Sequence, residues 1–154
     1  MDQNVEKQVW QRVLGQAENP RRDLRALELE ALEAAAVYRR LSGVFTGRSR
    51  EQVRQLYDGQ METVACLRGI GRLSGGVGKA AQISAPEEPV GKALEKRFHC
   101  ARRAMTEYTA RTVDGEFGAV FQHLSDLSRR ECVLLAELLG GWNQKPPGKA
   151  ASRR

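Results

Sequence analysis

The chain has 154 residues, of which 41% are hydrophobic, 29% charged and 6% aromatic, a length that gives one domain a core of its own and a composition that favours a soluble helical protein. No apolar run approaches the roughly 18 residues of a membrane span and Met1 to Leu14 does not have the form of a signal peptide, so the expectation is a cytoplasmic protein with no membrane partner. The net charge of +6 is uneven: residues 143–154, NQKPPGKAASRR, hold Lys145, Lys149, Arg153 and Arg154 without an acid, which leaves 21 basic against 19 acidic residues, or +2, for the rest.

Val5, Val9 and Val13 recur every four residues beside Trp10 and Leu14, predicting a short amphipathic helix within residues 1–20 that stops at Gly15. After Asn19-Pro20, the positions Leu24, Leu27, Ala31, Ala34, Tyr38, Leu41 and Phe45 alternate three and four apart, the stripe of a helix about 30 Å long packed along a neighbour. A turn around Gly47 to Ser49 leads into a second helix with Val53, Leu56, Gln60, Thr63, Leu67 and Ile70 inward; two of those six are polar.

Residues 71–91 carry Ser74-Gly75-Gly76-Val77-Gly78-Lys79, close to a phosphate-binding loop. That loop needs an initial glycine, a hydroxyl after the lysine and a launching strand. Here Leu73 and Ala80 occupy those positions, and a helical pattern precedes them. The stretch reads instead as a linker long enough to cross the length of a helix.

A third helix follows with Leu94, Phe98, Ala101, Met105, Tyr108 and Thr112 inward, then a turn at Asp114-Gly115. The fourth carries Phe117, Val120, Leu124, Leu127, Glu131, Leu134 and Leu138, and Gly140-Gly141 should end it. The fold class is therefore all-α: a four-helix bundle over residues 22–141 with one long crossover, a short N-terminal helix, and a basic tail over 142–154 that reads as a disordered, solubilising end. Nucleic-acid or acidic-partner binding through that tail is the weaker alternative.

The two hairpins echo each other. Ala31, Tyr38, Gln60 and Thr63 in the first correspond to Ala101, Tyr108, Ser128 and Glu131 in the second, so a pseudo-twofold axis would bring polar side chains together at mid-bundle. Cys66, Cys100 and Cys132 lack metal-type spacing and read as reduced, small core groups.

With this layout and the phrases ALEAAAVYRRL, ACLRGIGRLSGG, TEYTARTVDGEFGAVFQHL and LLAELLG, the chain resembles the ferritin-like superfamily, and within it the rubrerythrin-type proteins of bacteria. The resemblance implies a di-iron site built from one Glu on each of two helices and a Glu-x-x-His on each of the others. Carried over position by position, those ligands become Ala31, Gln60, Thr63, Ala101, Ser128 and Glu131; only Glu131 is an anion, and it stands where a His is implied. Glu30, Glu33, Glu62 and Glu107 lie near the motif, but Glu62 falls on the outer face and Glu30 and Glu107 read as solvated edge residues. His99 and His123 sit off the inward stripe.

What remains is an expected core polar network of Tyr38, Tyr108, Gln60, Thr63, Ser128 and Glu131, with a raised Glu131 pKa and room for a trapped water. The functional expectation is a bundle with a degenerate di-iron site, no catalytic residue and no resident cofactor, acting as a scaffold or interaction module for an unidentified protein partner or as a homodimer. The alternative is a rubrerythrin-like oxygen or peroxide oxidoreductase, or an iron handler, holding iron or manganese on Glu131 with Glu30, Glu62 or Glu107.

Overall fold

A computed structural model describes residues 23–74, 82–113 and 115–144; the expected N-terminal helix, the glycine-rich stretch and residues 145–154 of the tail lie outside them. Asp23 opens α1 (Leu24–Leu41) by accepting the Ala26 amide at 2.7 Å on its carboxylate, a side-chain cap for one of the helix's four orphan N–H groups. The chain turns through residues 42–46 and enters α2 (Gly47–Leu73). Gly47 adopts a φ of 59°, which a residue with a Cβ rarely takes. The turn thus lies earlier than Gly47 to Ser49, and Phe45 packs into the core from outside the helix.

Helix α3 (Val90–Ala110) ends in two 3₁₀ turns, Arg111–Val113 and Gly115–Phe117, so Thr112 is not α-helical. Helix α4 (Gly118–Gln144) starts so close to the preceding turn that a Cβ on Gly118 would collide with the Thr112 carbonyl. The glycine pair at 140–141 does not stop this helix, which runs on to Gln144. Neither glycine has the positive φ of a helix-ending cap. The last turn is instead held from outside: the Trp142 ring stands edge-on to Phe45 with centroids 5.7 Å apart, and the absent side chain of Gly91 makes room for its indole.

The described residues contain four α-helices and no strand. They pair as two antiparallel hairpins, α1 with α2 and α3 with α4, and α2 lies along α4. One end of the interior gathers Leu41, Phe45, Val53, Leu94 and Leu138; the other gathers Leu27, Ile70, Ala104, Tyr108 and Phe121. Both α2 and α3 therefore run from the first end to the second, and the connection between them must return the whole length of the bundle. Its last residues are tied back to α1, where Arg40 donates to the Glu88 carbonyl at 3.1 Å.

The inward stripe of α2 holds at all six positions, and α1 buries Leu27, Ala31, Ala34, Tyr38 and Leu41. Each buried leucine of this kind contributes about 2 kcal/mol. Two helices are rotated from expectation. In α3 the buried residues are Ala93, Leu94, Arg97, Ala101, Ala104, Glu107 and Tyr108, while Phe98 and Met105 are half-buried. In α4 Phe121, Ser125 and Leu135 join the expected Leu124, Ser128, Glu131 and Leu138 in the core, and Leu127 and Leu134 move to its edge.

Candidate functional site

Between the two apolar clusters lies a polar layer. Its centre is Glu131 on α4, 5% exposed. Tyr38 of α1 donates its hydroxyl to the Glu131 carboxylate. Arg97 of α3, 6% exposed, donates from Nη2 to the same oxygen at 3.2 Å and lies with Nε 3.5 Å from the tyrosine hydroxyl. The guanidinium also sits over the Tyr38 ring, 5.8 Å from its centroid. Three helices thus meet at one carboxylate oxygen.

The electrostatics follow from burial. Loss of water raises the Glu131 pKa above the ordinary carboxyl value, and Arg97, Tyr38 and the Gln60 amide from α2 oppose that rise by favouring the anion. Burial works against the Arg97 charge too, but Tyr38 and Glu131 outweigh it and raise the guanidinium pKa. Burial, reinforced by the Glu131 charge, pushes the Tyr38 phenol well above its usual range. The same causes push the Cys132 thiol up. A niche of about 20 Å³ between α2 and α4, lined by Gln60, Glu131, Leu127 and Leu134 among others, has the room of one water, for which roughly 10–15 Å³ suffices.

All six residues of the expected network are buried, but they do not form one cluster. Tyr38, Gln60 and Glu131 come together. Thr63 turns its hydroxyl onto the Gly59 carbonyl of its own helix at 2.9 Å, and Ser128 is buried one turn before Glu131 without a hydrogen bond to it. Tyr108 belongs to the apolar cluster of Leu27, Ile70 and Phe121, its ring stacked on Phe121 at 6.5 Å. The residue missed by sequence reasoning is Arg97. Its spacing marked it, three after Leu94 and four before Ala101, yet a charged side chain is rarely buried unless paired and the neighbouring Phe98 is the more apolar choice.

The off-stripe acids divide. Glu62 lies on the outer face, paired at 2.5 Å with an exposed His123, and His99 is exposed as well. Glu30 meets Arg103 at 3.0 Å. Glu107 is not a solvated edge residue; it is 6% exposed, because the buried face of α3 is turned towards Arg97 and Ala104 and so towards it. A further acid, Glu28, is buried in the lower half between Arg25 at 3.3 Å and Arg68 at 2.8 Å.

These residues do not fit a di-iron centre. Ala31 and Ala101 offer no donor, Gln60, Thr63 and Ser128 are neutral, and the Glu131 carboxylate already holds a guanidinium and a phenol. A cation placed there would face the Arg97 charge directly. Among the described residues no group of three or more His, Cys, Asp and Glu side chains is placed to hold a metal ion, no cysteine forms a disulfide, and no helix is long and apolar enough to cross a membrane. The chain matches no protein-family model, no curated protein and no solved structure.

Proposed function

We propose that the chain is a ferritin-like helical bundle whose metal-binding interior has been replaced by a fixed Tyr38–Arg97–Glu131 lock, and that it works as a non-catalytic scaffold or interaction module, alone or as a homodimer. Two hairpins joined by a full-length crossover support the likeness. The observation that carries the functional reading is the Arg97 guanidinium 3.2 Å from Glu131: a protein-borne cation occupies the layer where the resemblance puts metal. One salt bridge lends little to net stability, since desolvating both ions offsets most of their attraction. Its value lies in register, because the charges are satisfied only when α1, α3 and α4 are correctly seated.

The test is metal content after expression with added iron or manganese and anaerobic purification. The lock reading expects substoichiometric metal that does not change in Glu131→Ala. Two irons per chain, lost in that variant, would favour the oxidoreductase or iron-handling alternative.

A further inference from the structure

The acidic and basic residues outside the lock are not spread evenly. Residues 39–54, RRLSGVFTGRSREQVR, contain five arginines against one glutamate, a net +4, and they form the corner where α1 ends and α2 begins. Helix α4 finishes at the same end, with Trp142 against Phe45. That corner carries +4 of a chain whose whole charge is +6, so the other 138 residues together sum to only +2. Such a concentration makes this end a positive pole.

That pole contains a cleft of about 580 Å³ lined by Arg39, Arg50, Arg54, Tyr57 and Asp58, with Tyr38 beneath. The three arginines are exposed. Arg50 uses its Nε to hold the Ser42 carbonyl at 2.9 Å, which leaves its outer nitrogens available. No carboxylate among the described residues pairs with any of the three. Arg39 and Tyr57 also border a second trough of about 520 Å³ whose walls include Leu32, Ala36 and Met61. Guanidinium groups, an aromatic wall and an adjoining apolar seat thus occur in one groove.

We propose that this groove binds single-stranded nucleic acid, with phosphates at Arg39, Arg50 and Arg54 and a base against Tyr57. Arginine is suited to the role because its planar fork matches phosphate oxygens in pairs. A cationic track combined with an aromatic platform is how strands are held without sequence preference. A simple inorganic anion would leave the Tyr57 wall and the apolar trough unused, and an acidic peptide need not carry the flat ring that every nucleotide offers Tyr57.

Fluorescence anisotropy of the full chain with a labelled oligothymidylate of about 15 nucleotides, over a salt series, tests this. Arg39→Gln/Arg50→Gln/Arg54→Gln should weaken binding at least tenfold and flatten the log–log salt slope by about 2, three single-strand phosphates at roughly 0.7 each. Tyr57→Leu should weaken binding while leaving that slope unchanged. The same charge removed elsewhere, in Arg72→Gln/Arg102→Gln/Arg129→Gln, should have little effect, and circular dichroism melting confirms that each variant is folded. An equal loss in that control set would show a response to net charge and overturn the proposal. So would thymidine monophosphate or poly-glutamate competing as effectively as the oligonucleotide, because the cleft would then be a small-phosphate or acidic-protein site.

Discussion

Thr63 and Glu131 are counterparts in the two hairpins, equally buried, and the bundle treats them in opposite ways. Thr63 is satisfied within one turn of its own helix by the Gly59 carbonyl. Glu131 draws a phenol from α1 and a guanidinium from α3. The tyrosines split likewise: Tyr38 gives its hydroxyl to the lock, while Tyr108 is packed by its ring against Phe121. Repeated sequence therefore repeats the helices without repeating their interior chemistry. A short hydroxyl side chain can be closed off locally, whereas a buried carboxylate obliges other helices to supply donors.

The largest effect should come from leaving one side of the lock uncompensated. Glu131→Ala strands Arg97 in the interior and should cost about 3–5 kcal/mol in urea unfolding. Arg97→Met/Glu131→Leu, which removes both charges and keeps the volume, should recover most of that loss. A double variant as unstable as the single one would show that Arg97 and Glu131 are not a coupled unit.

Tyr38→Phe comes next, at about 1–3 kcal/mol, because it leaves a buried carboxylate short of a donor. A pH series adds a signed readout. Burial holds the folded Glu131 pKa above the ordinary value of 4.5, so as pH rises the unfolded chain releases its proton first. This group's effect is nil at low pH, and stability declines as pH climbs from near 4.5 towards the folded value. Glu131→Gln should remove that decline from the urea midpoints, and an unchanged slope would mean that Glu131 titrates as an exposed acid. Thr63→Val should be the mildest change, within about 1 kcal/mol; a cost approaching that of Tyr38→Phe would undo the contrast between the two counterparts.

The helical layout and the depth of the polar layer were legible in the residues because three-and-four spacing is independent of what each side chain does. The α2 stripe was read correctly even at Gln60 and Thr63. In α3 the rule of choosing apolar residues displaced the rule of spacing, so Phe98 and Met105 were preferred over Arg97 and Ala104, and the cation that defines the layer was hidden. Burial of Glu107 follows from the same turn of the buried face towards Ala93, Arg97 and Ala104. The run through Gly140-Gly141 was illegible for a different reason: it depends on Trp142 finding Phe45 and Gly91, partners about 97 and 51 positions away in the chain, and turn chemistry carries no sign of them.

Because α2 and α3 point the same way, the segment between them is a tether whose minimum length geometry sets. Spanning α3's 21 residues, at about 1.5 Å each, needs only about ten extended residues at 3.3 Å, and residues 74–89 provide 16. Excising Gly75 to Gly78 should therefore leave both hairpins docked. The bundle would then not depend on the residues that look like a nucleotide cradle, and a peptide insertion or a label at that point should leave what it connects undisturbed.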